Sequence, residues 1–315
     1  PPPQILQLWN TINKLLHRKH ISQLPSSIDS KSLPHMFATF FSNKVLQLHS
    51  TIKLLSTNTS PHFQPHHVPA NLTAFKPVTS EELSKLIYQS TNTFCDLDPL
   101  PTSVLKQCLP ALLSTIINIV DLSLNTGVFP KQFNISSVSP LLKKYNLDKE
   151  NLSNYRPISH LSFLSKLIER VVKQRLTHHL SSNALLNSFQ SAYTKHHSTE
   201  STLLSVHDHI IKAMAQQKVT ALCLLDLSAA FDTIDHSILF HRLSSWFGLN
   251  GTVLSWLQSY ISSREFVVNI NASLSDQFPL HQGVPQGSVL GPLLFILNTT
   301  PLSSLISNSS IKHHL

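Results

Sequence analysis

Leu224-Leu225-Asp226-Leu227-Ser228-Ala229-Ala230-Phe231-Asp232 is the stretch on which the reading of this chain turns. With Ala221 to Cys223 before it, the stretch opens as a short, solid apolar run that fits a buried strand. The run ends at Asp226, and an acid at the end of a buried strand is costly unless it is paired or binds a cation. Small residues follow at Ser228, Ala229 and Ala230, which lets a ligand approach the backbone closely. Phe231, five positions beyond the acid, is placed to wall such a pocket. Asp226 is therefore a candidate ligand for Mg²⁺, which prefers one or two carboxylates plus phosphate oxygens. The plainer reading is a strand-end Asp that caps the next helix, a role that Asp232 and Asp235 fit better. Spacing alone does not choose between them.

Downstream lies Gly283-Val284-Pro285-Gln286-Gly287-Ser288-Val289-Leu290-Gly291-Pro292. The whole chain has 6 Gly, and three fall in the nine positions 283–291. Glycine belongs where backbone turns sharply or lies close to a ligand. That scarcity elsewhere favours a binding turn over a merely tight one, with Gln286 and Gly287 at its centre and the Gln286 amide as donor and acceptor. Upstream, Lys143, Lys144 and Arg156 flank the turn of an expected hairpin over 136–158. Such a finger suits a triphosphate or a template backbone, since Arg grips phosphate bidentately and Lys acts as a point charge. Taken alone, that cluster reads better as a solvated surface hairpin.

The chain has 315 residues, 41% of them hydrophobic, so a sizeable core is within reach. A net charge of +8 and a pI near 9.4 point modestly to a polyanionic partner. Cys95, Cys108 and Cys223 are scattered and odd in number, which argues against a secreted disulfide framework and for a reducing compartment. No uninterrupted apolar stretch reaches the length of a membrane span, so no membrane partner is expected. Adjacent histidines such as His178-His179 and His196-His197 point apart and rarely share a metal.

Helical spacing marks 5–16 around Trp9, and 36–46 with Met36, Phe37, Phe40, Phe41 and Val45. The polar stretch 51–78 reads as linker, so the N-terminal third looks like helices strung on loops. Thr79-x-x-Glu82 is a capping box, and helices fit 111–124, 161–180, 200–216, 233–246 and 252–261. The helix over 161–180 carries one stripe of Leu, Ile and Val, with Lys166, Glu169, Arg170 and Lys173 on the opposite face. Residues 264–270 and 277–282 read as paired strands, and a glycine-punctuated helix begins near Gly287.

The order of these clusters carries a resemblance. Asn154-Tyr155-Arg156-Pro157-Ile158-Ser159, then Asp226 to His236, then Gln286-Gly287-Ser288-Val289-Leu290-Gly291-Pro292 resemble the successive motifs of non-LTR (LINE-type) retrotransposon reverse transcriptases, in the wording of the Jockey-like group. Leu97 to Thr102, Pro140 to Lys144, and Phe37 to Lys44 are similar to that group's upstream segments, so the likeness covers most of the chain.

The resemblance implies an α+β fold: the fingers and partial palm of a right-hand polymerase, preceded by a mostly helical N-terminal extension. The expected divisions are a helical connector and linker over 1–78, an N-terminal extension over 79–134, fingers over 135–218 and partial palm over 219–315. The implied activity is RNA-directed DNA polymerisation by two-metal nucleotidyl transfer with Mg²⁺, on an RNA template, a DNA primer and dNTPs. Asp226 would be catalytic and the first metal carboxylate, with the Leu227 backbone oxygen beside it. Phe231 would sense the sugar 2′ position, and Gln286 with Gly287 would line the nucleotide pocket. Arg156 and one of Lys143 or Lys144 would meet the triphosphate. The family also implies an intracellular setting, nuclear or cytoplasmic, and leaves the oligomeric state open.

Two departures are visible, Thr194 where the family usually has Arg and Asn298 near its usual Tyr. In the family the next strand carries Tyr-Ala-Asp-Asp. Here the sequence reaches His313-His314-Leu315 at that place, and no Asp or Glu follows Asp276. The expectation is a fragment that lacks activity as given. The alternative is a non-catalytic nucleic-acid-binding transposon remnant.

Overall fold

The hairpin expected over 136–158 forms one side of a small sheet, with its second strand at the edge. The computed structural model describes residues 24–26, 29–55, 70–227, 229–309 and 311–315. In it β1 (Ile135–Leu142) pairs antiparallel with β2 (Tyr155–His160), with Leu142 opposite Tyr155 and Ser137 opposite His160. On its other side β1 runs parallel to β3 (Glu265–Ile270) over Ile135–Val138. That second ladder stops short of Pro140, which has no N–H to donate to it. Two short strands, β4 (Ser273–Leu274) and β5 (Phe278–Pro279), pair antiparallel with β3 and complete the sheet.

A sheet with one apolar face must bury it against another layer. Helix α1 (Leu33–Leu55) does this. Phe37, Ala38 and Phe41 pack with Val138, Tyr155, Phe266, Val268 and Ile270 in one buried cluster. The Phe37 ring lies 5.6 Å from that of Phe41 and meets Tyr155 edge-on at 4.9 Å. The helical spacing of 36–46 is thus correct, but α1 is part of the core rather than a helix strung on loops. The helix expected over 5–16 lies outside the described residues.

The larger core is helical. It joins α2 (Ser80–Tyr88), α3 (Thr102–Gln107), α4 (Leu109–Thr126), α5 (Phe163–Ser182), α7 (His236–Phe247), α8 (Gly251–Ile261) and α9 (Gly291–Asn308); α6 (Thr199–Ala215) stands apart with no buried residue. Thr79 caps α2 by accepting from the Glu82 amide, and the Glu82 carboxylate takes Arg175 of α5 at 2.5 and 2.7 Å. The α5 stripe is buried as its spacing requires, with Leu167, Ile168, Val171, Val172, Leu176 and Leu180 all fully covered. Glu169 is covered too, which the sequence reading had placed on the solvent face. Helix α4 ends at Gly127, whose φ of 68° is left-handed. By length and composition α4 suffices to cross a membrane, yet Leu109, Ile116, Val120 and Leu124 pack into this core.

Residues 70–78, read from sequence as linker, also belong to the core. Leu72 bridges Leu249, and Phe75 and Val78 are buried, Phe75 edge-on to Trp256 at 6.0 Å. The polar neighbours that suggested linker lie on the outside of a segment in which every third residue, Leu72, Phe75 and Val78, points inward. The remaining correction concerns Ala221–Leu225. It is not a buried strand: 219–227 has neither helix nor ladder, and Leu224 is 83% exposed. A strand exists only through its partners, and no described strand runs beside this segment.

If α1 closes the sheet's core, Phe37→Ala removes a ring with no solvent contact, and unfolding by urea should show a loss of about 3–5 kcal/mol. A linker helix would lose less than about 0.5 kcal/mol.

Candidate functional site

The turn over 283–290 is wedged between two other segments, and its glycines are the reason it fits. Gly283, at φ +78°, donates to the Ile234 carbonyl at 2.8 Å, and Val284 donates to the Phe231 carbonyl at 3.0 Å. A Cβ on Gly283 would collide with the Phe231 carbonyl. On the other side the Ser159 amide of β2 donates to the Gln286 carbonyl at 2.7 Å. Gly287, at φ +121°, lies so close to the Ser159 carbonyl that a Cβ there has no room. Three sequence clusters far apart in the chain, Asn154–Ser159, Phe231–Asp235 and Gly283–Leu290, therefore meet backbone to backbone.

Glu169 of α5 fastens this turn from beneath. Its Oε2 accepts from the amides of Val289 at 2.6 Å and Leu290 at 3.1 Å, and its Oε1 accepts from Ser165 Oγ at 3.3 Å. These amides precede α9, so the carboxylate also meets the positive end of that helix. Burial, and then the Glu169 charge, push the neighbouring Tyr260 hydroxyl well above its ordinary pKa. Beside it Arg264, 1% exposed, lays its guanidinium 4.2 Å from the Tyr260 ring centroid and 5.2 Å from that of Phe129. Glu169 is the residue that sequence reasoning missed. The available signal was its place beside Ile168 on the buried stripe, with Ser165 one turn before it on the same face.

The nominated residues divide into two groups. Phe231 and Gln286 are held firmly. The Phe231 ring is half-buried, 5.4 Å from Phe295 and edge-on to Tyr193 at 6.1 Å. Tyr193 stands in a segment tied by the Ser191 amide to the Leu315 carbonyl at 2.7 Å. The Gln286 Nε2 donates to Asp232 Oδ1 at 3.1 Å, so Asp232 is a pocket residue and Asp235 is the helix cap, accepting from the Ser237 and Ile238 amides. Burial pushes the Asp232 carboxyl above its usual pKa, against the Gln286 hydrogen bond and the positive charge of Lys44. Asp232, Gln286, Pro157 and Ser159 line one groove, whose other wall is α1 with Lys44.

The second group is exposed. Lys143 and Arg156 do come to one end of the hairpin, as expected, and Lys144 projects there into solvent. Strand alternation sets Arg156 opposite the face on which Tyr155 packs against α1. Lys143 Nζ is bound to the Ser153 carbonyl at 2.8 Å, and desolvation and then Lys44 hold its pKa below the ordinary lysine value. Asp226 and Leu227 lie on the unpaired 219–227 segment, exposed, and so are not at the end of a buried strand. Among the described residues no group of three or more His, Cys, Asp or Glu gathers as metal ligands. One exposed carboxylate does not make a divalent-metal site by itself, so the residues described do not fit a two-metal centre.

Residues 143–315 match the reverse transcriptase (RNA-dependent DNA polymerase) family. The chain belongs to that family. It is 30% identical over 72% of its length to a probable RNA-directed DNA polymerase from transposon BS of Drosophila melanogaster, of which it covers 25%. It is likewise 30% identical over 72% of its length to the RNA-directed DNA polymerase from mobile element jockey of Drosophila funebris, covering 24% of that protein. A protein of transposon TX1 from Xenopus laevis is 25% identical over 73% of the chain, which covers 17% of it. The chain thus spans about a quarter of the length of the first two relatives. It is a reverse transcriptase domain of the jockey-like, non-LTR kind with a mixed helix-and-sheet fold, and this family works with a divalent metal on an RNA template. Of its two departures from the family's wording, Asn298 has a clear local role: its carbonyl and its Oδ1 both accept from Arg242, which ties α9 to α7. Thr194 donates to the Gln190 carbonyl at 3.2 Å, a local turn contact.

Glu169→Ala would leave two amides and a hydroxyl without their acceptor in a dry site, and chemical denaturation should show a loss of about 3–5 kcal/mol. Glu169→Gln, which keeps an acceptor of the same shape, should lose roughly half of that. Asp232 has a raised pKa in the folded chain, so its contribution to stability is fully present below the unfolded value and fades as pH rises through the folded one. Asp232→Asn should therefore gain stability relative to the parent as pH climbs from about 3 upward through the acid range. Parallel urea midpoints across that range would contradict a buried Asp232.

Proposed function

We propose that the chain forms the fingers, residues 135–218, and part of the palm, residues 219–315, of an RNA-directed DNA polymerase that extends a DNA primer on an RNA template with dNTPs. The observation that carries this reading is the seating of the Gly283–Leu290 turn against both β2 and the Phe231–Asp235 turn. It holds Phe231 and Gln286 on one rigid frame next to the basic hairpin. In that role the Phe231 ring stands where a ribose hydroxyl would collide and a deoxyribose would pass. Gln286 and Gly287 shape the floor on which a templating base and nucleotide meet. Arg156, with Lys143 or Lys144, supplies cations at the hairpin end for a triphosphate. The chain's charge of +8 suits a phosphate backbone read mainly by A-form shape. Residues 79–134 serve as an extension that braces this frame, and residues 1–78 as a connector. The setting is intracellular, nuclear or cytoplasmic.

Mg²⁺ is the ion proposed for the family chemistry, with Asp226 and the Leu227 carbonyl as positions offered to it. Their exposure on an unpaired segment favours a second reading of the isolated chain, in which it binds nucleic acid without synthesis.

Both readings meet in one experiment on the purified chain with a labelled RNA–DNA template-primer. Binding should weaken on the order of a hundredfold between about 50 and 200 mM salt, as for a footprint of about four phosphates. With dNTPs and Mg²⁺, extension should not exceed that of Asp226→Asn. Salt-insensitive or absent binding would sink the polymerase frame, while robust extension dependent on Asp226 would sink the inactive reading.

A further inference from the structure

Helix α1 crosses from the sheet to the Phe231–Asp235 turn. Phe37 and Phe41 are buried on the sheet, and His49 of the same helix stands 3.4 Å from Asp235. Lys44 lies between these anchors, seven residues after Phe37 and so on the same helix face. It is half-buried and lines the groove that holds Asp232 and Gln286.

This cation has no counter-ion of its own. Lys44 makes no ion pair with a described residue, and all 16 Asp and Glu of the chain lie among the described residues. Asp232, the carboxylate that feels its charge, is already bound to Gln286 Nε2 at 3.1 Å. The other charge that Lys44 meets has its own sign. Desolvation and then Lys44 hold the Lys143 pKa below the ordinary lysine value. Two ammonium groups that repel each other in partly covered surroundings are unfavourable unless an anion joins them.

We infer that Lys44 and Lys143 together form a phosphate site where the groove meets the basic end of the hairpin, so that α1 supplies a binding residue to the nucleic-acid cleft. The origin of that phosphate, a strand backbone or an incoming triphosphate, rests on the polymerase reading; the lysine pair itself does not. Lysine meets phosphate as a point charge without fixed direction, whereas a planar carboxylate is better matched by a guanidinium fork. The pair is also separate from Arg156, which strand alternation sets on the face of β2 away from Tyr155 and α1. Nothing in the family match over 143–315 reaches α1, which ends at Leu55.

The test is binding by the full chain. Lys44→Gln should weaken a labelled RNA–DNA template-primer on the order of tenfold near about 100 mM salt and flatten its salt slope by about one. Lys44→Arg should retain both. In an Asp232→Asn background Lys44→Gln should bring the same loss; no further loss there would mean that Lys44 only neutralises Asp232, and would overturn the proposal. Inorganic triphosphate, followed by calorimetry, separates the two sources. A Lys44-dependent loss for template-primer assigns the phosphate to the strand, and one confined to triphosphate assigns it to the nucleotide. Lys143→Gln and Arg156→Gln keep this outcome apart from that of the polymerase frame. If they weaken template-primer binding and Lys44→Gln weakens neither ligand, Lys44 is no phosphate residue and the frame stands. If template-primer is not bound while triphosphate binds through Lys44, the frame falls and the phosphate site stands. Binding of neither ligand would overturn both.

Discussion

A buried carboxylate with no cationic side chain bonded to it holds the working part of this molecule together. Glu169 sits in the middle of an otherwise apolar helix stripe, and its oxygens are met by the Val289 and Leu290 amides and the Ser165 hydroxyl. Charge-assisted bonds of this kind are strong because the surroundings are dry, and for the same reason the group tolerates no loss of partners. The consequence is geometric. The amides that Glu169 holds belong to the end of the Gly283–Leu290 turn, so α5 fixes where that turn can lie. The turn in turn fixes β2 through Ser159 and the Phe231–Asp235 segment through Gly283 and Val284. Replace the carboxylate by an apolar group and the frame that carries Gln286 loses its anchor to the helical core.

Much of this was legible in the sequence, and the parts that were share a cause. Local rules wrote the α5 stripe, the Thr79 cap and the hairpin, since each needs only neighbours within a turn or across a short loop. The glycine cluster was legible as a close approach, though not what it approached: Gly283 meets Phe231 and Gly287 meets Ser159, contacts over long separations. Glu169 was misread because a charged residue between lysine and arginine looks solvated, and only the distant amides of Val289 and Leu290 make its burial affordable. Residues 70–78 were misread for a related reason. A polar, proline-flanked stretch carries few apolar residues, yet Leu72, Phe75 and Val78 alone suffice to lay it into the core.

Asp226 and Asp232 draw the contrast most sharply. They stand six residues apart in one motif, and their surroundings are opposite. Asp232 is enclosed by the groove, hydrogen-bonded to Gln286, and its carboxyl is raised in pKa by burial. Asp226 lies in solvent on backbone that no described strand accompanies. Helices and turns satisfy their own backbone, so the half of the motif after Ala229 is built from contacts near at hand and from the glycine turn. A strand has no such recourse, because every one of its hydrogen bonds is lent by another segment. The apolar run that reads as a buried strand is therefore a statement about a partner as much as about itself. Whatever supplies that partner decides two things together: whether Leu224 and Leu225 leave water, and whether the Asp226 carboxylate is held in one place. The groove residues Asp232 and Gln286 are organised by the chain's own packing, and the Asp226 segment has no such organisation among the described residues.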